Sequence, residues 1–155
     1  MCLVLNRARA QDAVRIVGES ETDHKWKQLG DLAISGGKFP LAVECLTKAR
    51  DYPALLLLHT SMGDRAGVVK LAADAAVDGR TNVAFLASFL CNDLDACLKL
   101  LCDSGRAPEA AMMARTYAPS KVSQIVDVWR NELKTVNAKA AESLADPGGL
   151  WACLS

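Results

Sequence analysis

Apolar residues recur along this chain at positions i, i+3, i+4 and i+7, which places them on one face of an α-helix. Ala42, Cys45, Leu46 and Ala49 follow this spacing. The same spacing recurs later in the chain, in the segments 69–76, 83–90, 94–101, 110–117 and 122–129. None of these segments shows the strict alternation of a half-buried strand. The pattern therefore predicts an all-α protein.

Residues that commonly end or begin helices stand between these segments. Glycines, which tolerate the left-handed backbone at a helix end, occur at 36–37, 63, 79 and 105. Residues whose side chains can accept first-turn N–H groups are Asp64, Thr81 and Asp93. Prolines stand at expected first-turn positions at 53, 108 and 119. Together these signals set the expected helix boundaries.

The predicted helices cover 3–17, 23–35, 39–50, 53–62, 65–78, 82–91, 94–103, 108–117 and one long final segment, 120–145. Paired in order, they form helical hairpins near 23–50, 53–78, 82–103 and 108–145. Segments 37–42 (GKFPLA) and 105–110 (GRAPEA) share Gly, a basic residue, Pro and Ala in register. This degenerate repeat favours a tetratricopeptide-like α-solenoid, although periodicity alone leaves a compact helical bundle open. We expect one domain over 1–147 and a flexible tail over 148–155.

The composition argues against several functional classes. Lys+Arg and Asp+Glu both number 18, so the formal net charge is zero and the basic surface typical of nucleic-acid binders is not expected. No apolar run approaches the roughly 20 residues that span a bilayer. The six cysteines form no C-x-x-C motif, which favours a reducing, cytoplasmic compartment with thiols used as small apolar residues.

Few residues suggest chemistry. The histidines His24 and His59 have no carboxylate or thiol at ligand spacing nearby in the sequence. The thiols of Cys91, Cys97 and Cys102 do not match zinc-site spacings, and core packing is the favoured interpretation. Segment 36–38 (GGK) lacks the rest of a phosphate-binding loop and is interpreted as a helix–helix turn. We therefore predict no catalytic, cofactor-binding or metal-ligating residue, no cofactor, and no enzymatic activity.

Tryptophans and basic residues are the candidates for partner binding. Trp26 and Trp129 fall on apolar helical faces, so core packing is favoured over a role as interface anchors. Trp151 lies in the predicted tail. The basic residues Arg106, Arg115 and Lys121 could line a groove if the fold brought them together. Such a groove would indicate a peptide-binding adaptor.

Several segments of the chain resemble the coatomer beta-prime subunit family. The likeness begins at 25–33 (KWKQLGDLA) and continues through 42–46, 51–52, 55–58, 82–85 and 95–98. It is strongest at 105–111 (GRAPEAA), 114–117 (ARTY) and 119–123 (PSKVS), and it closes with 136–137 and 139–147. It covers most of the chain, about 23–147, whereas 1–20 and 148–155 match poorly. Each piece is weak alone, but the combination is specific.

The resemblance implies a fold and a role. Members of that family carry two WD-repeat propellers followed by an α-solenoid, and they build the outer layer of the coat on Golgi-derived vesicles. Their propellers recognise dilysine cargo tails. The propeller repeats are absent from this sequence, so no residue here inherits cargo binding. The resemblance identifies the chain with the solenoid portion of such a subunit.

The resulting functional prediction is a structural scaffold segment of the coatomer coat, used in transport between Golgi and endoplasmic reticulum. The resemblance implies other coatomer subunits as partners, chiefly the solenoid of the alpha subunit. Nucleic acid is not an expected partner, and membrane association would be indirect, through the coat. The expected location is the cytoplasm, peripheral on Golgi and vesicle membranes. The alternative is a tetratricopeptide-like adaptor that binds peptides and has no part in coat assembly.

Overall fold

A computed structural model describes residues 23–144 of the chain. The helices are α1 (Asp23–Ser35), α2 (Phe39–Lys48), α3 (Tyr52–Met62), α4 (Arg65–Val77), α5 (Thr81–Leu90), α6 (Leu94–Asp103), α7 (Ala107–Tyr117), α8 (Val122–Val136) and α9 (Ala138–Ser143). A 3₁₀ turn, Pro119–Lys121, precedes α8. No strand occurs between residues 23 and 144. The all-α prediction is confirmed, whereas the predicted helix 3–17 and tail 148–155 lie outside the described residues.

The chain divides into two compact units between Leu71 and Ala72, within α4. In the first unit α1 packs on α2, and α2 packs on α3. In the second unit each helix from α5 to α9 packs on the next one along the chain. These helices therefore pack on their neighbours in sequence, and the pairing of all the helices into hairpins stays a prediction. The single domain over 1–147 stays a prediction.

The first unit depends on a close approach between α1 and α2. A Cβ atom added at Gly30 would lie 2.9 Å from both Cγ and Cδ2 of Leu46, so only glycine fits there without a shift. Trp26, Leu29 and Cys45 form the adjoining buried cluster. The ammonium of Lys48 lies 4.3 Å from the centroid of the Trp26 ring, a cation–π distance. The contact thus combines tight backbone packing with one large ring.

The core of the second unit is mainly aliphatic. Ala107, Ala110 and Ala114 are fully buried along α7. Around α7 the buried cluster includes Leu98 and Leu101 from α6 and Val122, Ile125 and Val126 from α8. Because α7 presents such small side chains, larger residues on both neighbouring helices can pack against it. This explains how the second unit builds a continuous core in a chain with only 5% aromatic residues.

The structure corrects several details of the sequence-based expectations. Thr81 does not cap α5, because the N-cap position is Arg80, whereas Asp93 does cap α6 by accepting the Ala96 N–H. The expected capping role of Asp64 is confirmed by its bond from the Gly67 N–H. In the run of four leucines at 55–58, Leu57 is 72% exposed while its three neighbours are buried.

The single final helix over 120–145 is interrupted at Asn137. Its backbone is extended, with φ −152° and ψ 102°, so α8 ends at Val136. The Asn137 side chain then accepts the N–H of Ala140 and caps α9. Asparagine side chains compete with helical backbone bonds in this way, which makes them better caps than helix-interior residues. The guanidinium of Arg130 reaches back to the Leu144 carbonyl oxygen, 3.3 Å away.

Four of the glycines expected at helix ends adopt the left-handed backbone conformation: Gly37, Gly63, Gly79 and Gly105. Two further turns place non-glycine residues in this region, Arg50 with φ 50° and Asn92 with φ 60°. Neither was expected from the sequence, because both positions lack glycine. Asparagine tolerates the left-handed region better than most residues, whereas arginine does not.

Adjacent glycines offer a matched test of this turn chemistry. Gly37→Ala should lower the free energy of unfolding by about 1–2 kcal/mol, because φ is +67° and alanine is strained there. Nothing lies within 4 Å of the added Cβ, so the loss would come from the backbone alone. Gly36→Ala should change stability by less than about 0.5 kcal/mol. Urea unfolding of both variants measures the difference, and equal effects would contradict this account.

Candidate interaction surfaces

The glycine-lysine segment 36–38 is a helix–helix turn, as predicted. The N–H groups of Gly36, Gly37 and Lys38 donate to the carbonyl oxygens of Leu32, Ile34 and Ala33 at 3.0, 2.9 and 2.8 Å. Phosphate loops work by directing free backbone N–H groups at the anion. Here the three N–H groups are already used by the end of α1. The segment therefore connects α1 to α2 and lacks the donors of an anion site.

His59 links α3 to α4. Its ring is buried, and its Nδ1 lies 2.9 Å from the Asp64 carboxylate. A carboxylate only accepts hydrogen bonds, so His59 Nδ1 carries the proton and donates. The other Asp64 oxygen accepts the Gly67 N–H at 2.9 Å. One carboxylate thus joins the last turn of α3 to the first turn of α4, with His59 as one of its donors.

Gly67 is required by this arrangement. A Cβ atom at position 67 would lie 2.2 Å from His59 Nδ1 and 2.4 Å from Asp64 Oδ2. The Gly67 N–H bond lowers the pKa of Asp64, and the His59 bond lowers it further against the opposing effect of partial burial. This packing was not predicted, because it depends on the geometry of the turn at Gly63 between α3 and α4.

The other histidine and the thiols also have structural surroundings. Exposed His24 has its Nε2 atom 3.0 Å from the Gln28 amide, one turn further along α1. Cys97 is fully buried, and its thiol donates to the Phe85 carbonyl oxygen at 3.6 Å. Burial raises the pKa of Cys97 and of Cys102, which keeps both as neutral thiols. Within residues 23–144 no cluster of metal-ligating side chains occurs.

The tryptophans lie where core packing was favoured. Trp26 is buried in the first unit, and Trp129 is partly buried against the core of the second unit. Trp151 lies outside the described residues. The two indoles therefore stabilise helix contacts, and neither is an exposed anchor for a partner.

The three basic residues of the predicted peptide groove are not brought together. Arg106 forms an ion pair with Glu109 and lies 3.4 Å from the Asn82 side-chain oxygen. Arg115 lies in the last turn of α7, more than two helical turns from the N-cap residue Arg106. Lys121 pairs instead with Asp95. A convergent basic groove built from these residues is therefore not present.

Lys121 belongs to a different feature, a groove of about 270 Å³ between α6 and α8. Each side contributes residues at i, i+3, i+4 and i+7, which is one helical face. From α6 these residues are Asp95, Leu98, Lys99 and Cys102, and from the 3₁₀ turn and α8 they are Lys121, Gln124, Ile125 and Val128. Both helices pack on α7, which holds them apart. We call this feature the α6–α8 groove.

The two helices run in the same direction along the α6–α8 groove. The Asp95–Lys121 ion pair joins the first lining residue on one side of the groove to the first lining residue on the other. At the other end, the pKa of Cys102 is raised first by burial and then by the negative charges of Glu132 and Asp103. The lining residues on each side, from i to i+7, extend over about 10 Å at 1.5 Å per residue. The groove therefore has the Asp95–Lys121 ion pair at its start, an apolar floor, and negative charges near its far end.

A family comparison and the known relatives agree on the ancestry of the chain. The family model described as the COPA/B TPR domain matches residues 2–130, so the expectation that 1–20 match the family poorly is wrong. The chain is 53% identical over 145 residues to "Coatomer subunit beta'-1" of Oryza sativa subsp. japonica, which is 94% of this chain and 16% of that protein. The identity to "Coatomer subunit beta'" of Rattus norvegicus is 54% over the same coverage. The chain thus spans about a sixth of the length of these relatives.

The link through Gly67 predicts a conditional steric effect. Gly67→Ala should lower the free energy of unfolding by about 1–3 kcal/mol, because the new methyl overlaps the buried His59 ring. In a His59→Ala background the same change should cost less, because the ring is gone. Chemical unfolding of the four proteins in this double-mutant cycle measures the coupling. Equal costs in both backgrounds would mean that His59 does not restrict this position.

The lowered pKa of Asp64 predicts a pH-dependent contribution to stability. A carboxylate with a folded-state pKa below its ordinary value stabilises the fold above about pH 4, and this contribution is lost as pH falls through the folded-state pKa. Asp64→Asn keeps an N-cap oxygen but removes the charge. It should lower the thermal midpoint near neutral pH and have less effect in acid. Asp74→Asn, at an exposed position on α4, is the control and should show no such trend.

Proposed function

The chain belongs to the coatomer beta-prime family, in the part that the COPA/B TPR domain describes, and we propose that it is a structural scaffold segment of the coatomer vesicle coat. The observation that carries the proposal is the 53% identity over 94% of the chain to a coatomer subunit. Because the match covers 16% of that relative, the activity of a whole subunit enters here only by proposal.

The architecture supports a role in protein–protein contact. Consecutive amphipathic helices bury one face and present the other, so each hairpin offers a rigid surface. Leu32, Leu57, Val77 and Val136 are large apolar side chains that are 69%, 72%, 86% and 83% exposed. Side chains of this kind can be covered by a partner at little cost in conformational entropy. The polar residues that first suggested chemistry are instead used in turns and helix contacts.

The proposed partners are other coatomer subunits, chiefly the solenoid of the alpha subunit. We further propose that 1–147 forms a single solenoid domain, that the chain acts by binding and not by catalysis, and that it works in the cytoplasm on Golgi and vesicle membranes. No helix within the described part of the chain is long and apolar enough to cross a bilayer. Contact with the membrane would be indirect, through the assembled coat.

Affinity capture from cytosol tests the proposal. The tagged chain should retain coatomer subunits, chiefly alpha, and mass spectrometry would identify them. Ala42→Asp is the matched control, because Ala42 is fully buried and a carboxylate there should unfold the first unit. Capture should be lost with this variant.

Two results would contradict the proposal. One is a wild-type chain that is helical by circular dichroism yet retains no coatomer subunit. The other is equal capture by the wild type and by unfolded Ala42→Asp, since this would show that binding needs exposed apolar chain and not folded hairpins.

A further inference from the structure

The α6–α8 groove contains a positive charge without a partner. Lys99 is exposed on the rim and forms no ion pair with any of the residues 23–144. Lys121, at the start of the same groove, is already paired with Asp95. The remaining lining is apolar or neutral, with Leu98 and Ile125 buried at the floor. Lys99, near the middle of the groove, is therefore a lysine outside any ion pair beside an apolar surface, with Asp95 and Asp103 one helical turn before and after it on α6.

The size of the groove limits what it can hold. Its volume of about 270 Å³ is below the roughly 300–1,000 Å³ of typical small-molecule pockets. One or two apolar side chains would fill it. Val128 is 37% exposed beside the floor, so an inserted side chain would cover a surface that now contacts water.

We propose that the α6–α8 groove binds a short protein segment in which an apolar side chain stands next to a carboxylate. The apolar side chain would pack on Leu98, Ile125 and Val128, and the carboxylate would pair with Lys99. This inference goes beyond the coat scaffold proposal and does not depend on it.

Charge complementarity fixes the orientation of the segment. A carboxylate near Lys99 gains an ion pair, whereas the charge of Lys121 is already neutralised by Asp95. At the far end Asp103 and Glu132 would repel a second carboxylate. Because charged rim groups mainly decide which partners are accepted, purely apolar or basic segments should bind less well.

Peptide selection tests this proposal on the whole chain. A phage library of random dodecapeptides is selected on the wild-type protein, with Lys99→Glu used for counter-selection. Enriched sequences should share an apolar residue beside Asp or Glu. The most enriched peptide, made with a fluorescent label, should bind Lys99→Glu at least about ten-fold more weakly by anisotropy, because the reversal turns attraction into repulsion. Binding should also weaken with added salt.

Two variants separate the groove from the rest of the surface. Lys134→Glu makes the same charge change on α8, but nine residues and half a turn from Ile125, and should leave affinity unchanged. Val128→Glu places a carboxylate at a partly exposed wall and should abolish binding while the circular dichroism melt stays cooperative. Three results would overturn the proposal: no enrichment, enriched peptides without a carboxylate, or equal affinity for wild type and Lys99→Glu.

Discussion

Close approach of neighbouring helices, made possible by alanine and glycine at the contacts, is the constraint on which the rest of the structure depends. Ala42, Ala84, Ala107 and Ala114 are fully buried, and Gly30 has no room even for a methyl group. Helices that approach this closely bury long side chains from both neighbours, so a mainly aliphatic core suffices. The spacing of the helices also sets the grooves between them, since α7 alone separates α6 from α8.

Much of the fold could be predicted because helix burial is a local property of the sequence. The spacing of apolar residues, together with Gly and Pro, gave the bounds of α1 and α6 as they stand in the structure. The break at Asn137 was missed because the apolar track through Leu133, Val136 and Ala140 continues across it. Left-handed turns at Arg50 and Asn92 were missed because only glycines were taken as signals for this backbone conformation, and at Arg50 the turn geometry overrides the preference of the residue.

The interaction surfaces were less predictable, because they join residues that are far apart in the chain. The periodic stripe of α6 and that of α8 are both visible in the sequence. What the sequence did not reveal is that they face the same groove, since the Asp95–Lys121 pair spans 26 residues. The same limit applied to Arg106, Arg115 and Lys121, which could have lined a groove only if the fold brought them together. Arg106 and Arg115 lie at opposite ends of α7, and Lys121 pairs with Asp95.

In a protein with no net charge, the side chains already held in ion pairs decide which charges remain available to recognise a partner. Lys+Arg and Asp+Glu balance at 18 each, so no long-range field attracts a partner. Most of the charged contacts stabilise turns and helix ends. The Lys27 ammonium lies 2.6 Å from the carboxylate of Asp51, which caps α3, and the Asp64 carboxylate joins α3 to α4. Charges used in this way are unavailable to a partner without loss of stability. An unpaired lysine beside an apolar groove carries no such cost, and this makes Lys99 a better place for recognition than the more conspicuous arginines.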